Sequence, residues 1–561
     1  MRGDVKADGR RRIVIVGASA AGLRCASRLA RLCPRWQITV VEQRELFSVA
    51  ACGLPYVLSG DIAAAASLRS TSDGALRDGA YFAAVKGVEV LSGRRASAVD
   101  AGAHLLTCEG PGPSRTVLEW DELVLATGAQ ARRLKGQPRH PRVRSFHTGE
   151  DLAPVHAALG KGEISRVVIV GAGLVGCELS EAFRALWGVD VTLLEAAGTP
   201  LSNILDPEIG AVVAATLRRN GVNLRTNAAV DAITASDDRA EVTVGPERFA
   251  ADLVLVAVGV EPEVDLARSA GVVLGRTGAI SVDERLATSV PGVWAAGDCV
   301  EVRRIPGGEF AYLPFGSLAN RQGRVLANVL AGRSDRFSGA VGAAAVKVFD
   351  LNVAATGLTR AEAEARRMQV RSAWVTAHDR AHYWPEAKEI VIHLLYETGA
   401  RRVLGVQAVG EGEVTKRVDV ATQLIARGAD LADFAGLEQA YAPPFAPAID
   451  PLAQAAFAAE NQEEGIEACR PGEAVAGLRL LDVRHRGERE ERPLPGSACG
   501  TPLEELRSAL PPLDSGPWLA VCERGARSAE AVRLLRAAGG SASYLAGGLR
   551  LRALMGLEGA G

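Results

Sequence analysis

Cys52 stands in the run FSVAACGLPY, with no second cysteine within five residues on either side. A redox centre that cycles a dithiol needs two neighbouring sulfurs, so a lone thiolate must form its transient bond with a sulfur brought by the substrate. A second thiol heads the loop CERGARS (522–528), where Cys522 precedes a glycine-bearing turn into a helical segment. Successive backbone N–H groups in such a loop, and the helix N-terminus that follows, favour a thiolate or a bound anion, and Arg527 adds positive charge. The two thiols point to sulfur chemistry at two places. The other seven cysteines, Cys25, Cys33, Cys108, Cys177, Cys299, Cys469 and Cys499, read as structural.

Cys52 lies between two glycine-rich turns. Arg12–Val16 is a short apolar strand, GASAAG (17–22) a turn, and the alanine-rich stretch after it a helix that leads to ITVVE, ending at Glu42. This is the pattern of a dinucleotide-binding βαβ unit: Gly17 permits the tight turn, Gly22 lets helix pack on strand, and Glu42 accepts from a ribose hydroxyl, with Ser19 in place of the middle glycine. The pattern recurs complete in VVIVGAGLVG, with Gly171, Gly173 and Gly176, followed by VDVTLLE ending at Glu195. Two such units imply two dinucleotides. A carboxylate at Glu195 accepts from a free 2′-hydroxyl and repels a 2′-phosphate, so NADH is expected over NADPH. Three further buried strands, LVLATGAQ (123–130), LVLVAVGVEP (253–262) and VPGVWAAGDC (290–299), end in small residues.

The 561 residues supply material for three or four domains, and a formal net charge of −2 lacks the broad cationic field that nucleic acid or a membrane surface would require. No CxxC pair occurs, which argues against a disulfide scaffold or a thiolate zinc site; no metal is expected, and a reducing cytoplasm fits. The basic N-terminus and the apolar run before GASAAG superficially resemble a secretory signal, but the run is short and Arg24 and Arg28 follow at once. No apolar stretch approaches the ~20 residues of a membrane span.

Residues 10–455 resemble the flavoprotein disulfide reductases with two dinucleotide-binding domains. The resemblance implies FAD and NADH as cofactors, Thr127 and Gly128 closing over FAD, and Gly297 with Asp298 where a carboxylate meets a flavin side-chain hydroxyl. It also implies an α/β fold with two Rossmann-like domains and an α+β dimerisation domain. The expected map is an FAD domain over 10–150, an NADH domain over 151–270, the FAD domain resuming over 271–336, and a dimerisation domain over 337–456 that makes a homodimer.

Within that family CGLPY and YAPPF (441–445) are similar to the coenzyme A disulfide reductase branch, as are KVFDLNVAATGLT, HYWPEAKEI and LGVQAVG. Arg24, Arg28 and Arg31 share one face of the first helix. The resemblance places them with Ser48 along a substrate channel, and brings Tyr383 and Tyr441 to the active site, Tyr441 from the partner subunit. The chain departs from the branch at Ala51, Trp384 and Ile449, which leaves coenzyme A as substrate or ligand an open question.

After a polar stretch, NQEEGIEACRPGEA (461–474), that reads as a linker over 457–472, the segments LRLLDVR, LPGS (494–497), WLAVCERGARS and YLAGGL resemble a C-terminal α/β rhodanese domain over 473–561. That resemblance makes Cys522 a persulfide carrier assisted by Arg527. The expected function is NADH-dependent reduction of persulfide, polysulfide or coenzyme A disulfide through Cys52, by a cytoplasmic enzyme of small-molecule sulfur substrates. Two alternatives stand beside it: an NADH oxidase or peroxidase working through a Cys52 sulfenate, and a sulfur carrier or redox sensor with little turnover.

Overall fold

The computed structural model describes residues 10–112, 114–473, 478–494, 499–513 and 516–557. The chain forms two compact units, one from the N-terminus to Leu193 and again Val230–Ala340, the other Leu194–Ala229 and Val341–Gly561.

The first unit is built on two sheets. One runs Val293–Ala295, Glu122–Leu125, Arg12–Val16, Gln37–Val41, Glu89–Leu91, with every pair parallel. Its central strands are nearly continuous in Ile, Val and Leu because both faces are covered. The other contains Asp190–Leu194, Arg166–Val170, Leu253–Val256 and Val143–Ser145 in that order. In both sheets a strand turns sharply into a helix, Ala20–Leu32 in the first and Leu174–Ala185 in the second. At the first turn Gly17 has φ +110°, and a Cβ there would lie 2.1 Å from the carbonyl oxygen of Ala126 on the adjoining strand. A Cβ on Gly22 would fall 2.0 Å from the Gly17 carbonyl oxygen, so the helix can approach its own strand only without one.

The second unit holds an antiparallel sheet, Ala344–Val348, Leu351–Gly357, Val403–Gly410, Glu389–Glu397, Val370–His378. A parallel sheet from the C-terminal part follows in the order Ala468–Cys469, Ala542–Leu545, Trp518–Val521, Arg479–Asp482, Cys499–Gly500. The stretch expected as a linker over 457–472 instead holds regular elements: helix Pro451–Glu463 runs into it and Ala468–Cys469 pairs with the C-terminal sheet. The LPGS turn extends outside the described residues, which stop at Leu494 and resume at Cys499.

One buried cation joins the loops that carry the two singled-out tyrosines. Arg417, 0% exposed, donates from Nη2 to the Asp379 carbonyl at 2.5 Å and from Nε to Asp450 Oδ2 at 3.1 Å. Asp379 itself closes the Tyr383 loop by accepting from the backbone N–H groups of Lys388 (2.9 Å) and Glu413 (3.1 Å). Asp450 ends the Tyr441 loop and caps helix Pro451–Glu463, accepting from Leu452 N–H at 2.9 Å.

Gly17→Ala is expected to destabilise the first unit by more than about 3 kcal/mol and to yield protein depleted in bound flavin, read from the ratio of visible to ultraviolet absorbance. Arg417→Met should cost about 3–5 kcal/mol in chemical denaturation because it strands a buried carboxylate, and Asp450→Asn in the same chain should recover part of that loss.

Candidate functional site

The first turn holds its carboxylate rigidly: Glu42 is buried, and its two oxygens accept from Ala18 N–H at 2.8 Å and Arg44 N–H at 3.0 Å. Ser19 is the N-cap of helix Ala20–Leu32 but makes no side-chain cap bond, which leaves the first-turn N–H groups directed at a ligand position. Gly128 has φ +74° and faces open space where a Cβ would sit, while Thr127 Oγ1 donates to the Glu263 carbonyl at 2.6 Å. Gly297 is pressed against helix Ala20–Leu32, 2.9 Å from a hypothetical Cβ to Ala21 Cβ, and its N–H donates to Gln322 at 2.7 Å.

Beside it Asp298 is pushed up to about 6 by burial, and among the described residues it has no hydrogen-bond partner. The Tyr312 hydroxyl is likewise buried without a partner, and burial with the neighbouring Asp298 charge raises it. The buried Tyr312 hydroxyl and the half-buried Asp298 carboxylate, beside a glycine cradle at a helix N-terminus, fit a dinucleotide with hydroxyls to donate. Sequence reasoning missed Tyr312, which lies in no glycine motif.

The second turn repeats the geometry. Gly171 has φ +99° with its hypothetical Cβ 2.6 Å from the Ala257 carbonyl oxygen, and that of Gly176 would sit 1.9 Å from the Gly171 carbonyl oxygen. Gly173, the N-cap of Leu174–Ala185, faces open space. Its surroundings fit a second pyrophosphate. Glu195, just after strand Asp190–Leu194, accepts from Ala197 N–H at 2.8 Å.

Cys52 sits in a single tight turn, Ala51–Gly53, that feeds helix Leu54–Leu58. It is the one exposed thiol among the nine cysteines, all of them free. Protein crowding around the sulfur, with added repulsion from Glu178 and Asp298, holds the thiol above its ordinary value. Glu178 projects from the helix of the second turn and Asp298 from the first dinucleotide site, so Cys52 lies under the influence of both. The Tyr56 hydroxyl, at the end of CGLPY, donates to Glu178 Oε1 at 3.1 Å. Burial lifts Glu178 to about 7, opposed by the Tyr56 bond and helped by Glu181. Neither Tyr56 nor Glu178 was singled out from sequence, although Glu178 follows Gly176 by two residues.

Ser48 is buried and adopts φ +60°; its N–H donates to the Ala18 carbonyl at 3.0 Å and its own carbonyl accepts from Arg77 at 3.0 Å. The residue thus ties the Cys52 segment to the first turn through its backbone. On helix Ala20–Leu32, Arg24 and Arg31 are exposed and Arg28 donates to Asn328 Oδ1 at 3.1 Å. Arg324 and Arg333 join these three to make a cluster of five guanidiniums around Arg28, two more than the helix periodicity revealed.

In the second unit Tyr383 and Tyr441 are 64% and 51% exposed. They come together: a hydrogen bond with Tyr441 raises the Tyr383 hydroxyl above its ordinary value. Of the three departures noted in sequence, Ala51 and Ile449 are exposed and Trp384 half-buried. Cys522 follows strand Trp518–Val521 and is 1% exposed; its Sγ accepts from Gly525 N–H at 3.1 Å and lies 3.4 Å from Ser528 Oγ. Helix Ala526–Ala537 starts within the CERGARS run, which puts Arg527 in its first turn. Arg527 donates to both oxygens of Glu488, at 2.6 and 2.7 Å. A cavity of about 1010 Å³ opens onto Cys522, walled by the 522–527 loop, the ends of the antiparallel sheet and helix Pro207–Arg219. Among the described residues no helix is long and apolar enough to cross a membrane.

Residues 11–317 match the family model of the pyridine nucleotide-disulphide oxidoreductases, and residues 343–453 match the dimerisation domain of the same family. A CoA-dependent NAD(P)H sulfur oxidoreductase from Pyrococcus furiosus is 34% identical over 445 residues, 79% of this chain and 98% of the relative. The solved NAD-dependent persulfide reductase from A. fulgidus superposes with a TM-score of 0.92 at 36% identity, over 96% of this chain and 99% of that one. Reduced CoADR-RHD from Bacillus anthracis gives 0.90 at 29% identity, over 98% of both chains. With two glycine turns shaped for dinucleotides and this likeness over nearly its full length, the chain is a member of the pyridine nucleotide-disulphide oxidoreductase family, and it binds FAD and NAD(H).

Proposed function

We propose that the protein uses NADH to reduce the sulfane sulfur of persulfides or polysulfides, releasing sulfide, with Cys52 as the thiol that bonds to the substrate sulfur. The observation that carries this reading is the setting of Cys52: a single exposed thiol, flanked by Glu178 and Asp298 from the two dinucleotide sites, with no bonded partner of its own. The names of the Pyrococcus and A. fulgidus relatives, a sulfur oxidoreductase and a persulfide reductase, support the same substrate class. The balanced reaction is NADH + H⁺ + RSSH → NAD⁺ + RSH + H₂S.

FAD supplies the exchange between a hydride from NADH and an electron pair for sulfur. Cys52 holds the sulfur during that exchange. Glu178, whose carboxyl titrates near 7 beside the thiol, holds the proton that the departing sulfur requires. Gly17, Ser19, Gly22, Glu42, Thr127, Gly128, Gly297 and Asp298 form the FAD site in this account, and Gly171, Gly173, Gly176 and Glu195 the NADH site.

The arginine cluster around Arg28 suits an anionic carrier of the substrate sulfur such as coenzyme A, and Ser48 belongs to the same channel in this account. A homodimer formed through residues 343–453 would bring Tyr441 and Tyr383 toward the partner's Cys52. The C-terminal module acts as a rhodanese-type domain in which Cys522 carries sulfane sulfur, and its attachment raises the local concentration of donor near Cys52. A cytoplasmic, reducing setting accords with nine free thiols.

Cys52→Ser should retain FAD and its reduction by NADH while sulfide release from polysulfide and from coenzyme A persulfide falls at least about 100-fold. Undiminished sulfide release would remove Cys52 from the reaction, and NADH consumption that tracks oxygen or peroxide instead of sulfur would favour the oxidase reading. For the nucleotide, kcat/KM should favour NADH over NADPH by at least about 10-fold, and Glu195→Ala should narrow that ratio.

A further inference from the structure

The loop that carries Cys522 is crowded with arginine, yet each of these cations already holds a carboxylate, and Arg527 also meets the Cys522 thiol. Arg527 makes its bidentate pair with Glu488, which also accepts from the His485 N–H at 2.9 Å. Arg524 and Arg550 both donate to Glu389, at 3.1 and 2.5 Å, to opposite oxygens of the one carboxylate. Glu389 begins strand Glu389–Glu397 of the antiparallel sheet, so the cavity over Cys522 is closed on one side by a neighbouring domain. The Thr376 hydroxyl on that sheet also donates to the Gly547 carbonyl at 2.9 Å, which fixes the C-terminal module against it. Farther along the wall Arg492 is paired with Glu523 at 2.7 Å. Among the described residues Arg219 lines the same cavity without a carboxylate in contact, but it belongs to helix Pro207–Arg219 rather than to the Cys522 loop.

Charge placement of this kind discriminates between sulfur donors. Thiosulfate arrives as a dianion and leaves as sulfite, also a dianion, so it requires a cation free at the thiol itself to meet the departing charge. An organic persulfide departs as a thiolate, which carries one charge and is readily protonated by solvent. The arginine holds the Glu488 carboxyl at about 2, so the pair stays ionised throughout the working pH range.

On the reading of Cys522 as a sulfane-sulfur carrier, we propose that its donor is an organic persulfide and that the carboxylates of Glu488 and Glu389, by occupying the loop arginines, exclude thiosulfate. The transfer is Cys522–S⁻ + RS–SH → Cys522–S–SH + RS⁻. The donor S–S bond breaks, a new S–S bond forms at Cys522, the leaving thiolate keeps the electron pair, and no net oxidation occurs.

The test uses the full-length protein without NADH and follows persulfide formation on Cys522 by alkylation and mass spectrometry, with glutathione persulfide and thiosulfate as the two probes. Glutathione persulfide is expected to load Cys522 at least about 100-fold faster than thiosulfate, the scale of leaving a charged group without its partner. Glu488→Gln should raise the thiosulfate rate about 10-fold or more while the persulfide rate changes less than about threefold. Glu389→Gln, which frees Arg524 and Arg550 and leaves the His485–Glu488 contact intact, provides the same reading if Glu488→Gln fails to fold. Equal loading by both donors in the wild type, or no gain with thiosulfate in either folded variant, would overturn the proposal. Loading by neither donor would overturn the carrier reading of Cys522 on which it rests.

Discussion

At each dinucleotide turn the main chain crosses another strand's carbonyl at a distance no side chain permits: Gly17 over Ala126 and Gly171 over Ala257. These crossings bring the N-terminus of a helix to the end of a parallel sheet, where unsatisfied N–H groups and the helix dipole meet a pyrophosphate. The remainder of the site follows from them. Gly297 packs on the first helix and thereby places Asp298. Glu178 rides on the second helix one turn beyond Gly173, and Cys52 is held near the first turn by the Ser48–Ala18 backbone bond. A shift at either crossing would separate the thiol from the groups that govern its charge.

The electrostatics around Cys52 are acidic rather than basic. Glu178 and Asp298 disfavour the thiolate, and both carboxyls are raised toward neutrality by burial. Such a site stabilises the bonded or protonated states of sulfur over a free anion. That suits a thiol whose working partner is a substrate sulfur and a nearby electron source, rather than one activated by a permanent cation. The cationic groups are the five arginines gathered around Arg28.

Much of this was legible because it is local in sequence. The strand over Arg12–Val16, the two turns and the thiols of Cys52 and Cys522 each rest on a short run of residues whose backbone demands are specific. Other parts depend on residues distant in the chain. Tyr56 meets Glu178, Arg417 ties Asp379 to Asp450, Tyr312 faces Asp298, and Arg527 is neutralised by Glu488; no periodicity brings these pairs together. The polar stretch from Asn461, read as a linker or entry segment, begins inside helix Pro451–Glu463, and the short Ala468–Cys469 strand gains its partner only from Tyr544 and Leu545.

The central claim is that one thiol, Cys52, holds the substrate sulfur while an electron pair from NADH cleaves it. It is tested most directly by stoichiometry in a single turnover. Protein loaded with sulfane sulfur and freed of excess donor would be mixed anaerobically with a limiting amount of NADH, and sulfide would be trapped by rapid quenching. The account predicts one sulfide per NADH oxidised, with Cys52 returning to a free thiol at the same rate. NADH oxidation without sulfide, or sulfide released while Cys52 remains modified, would contradict it.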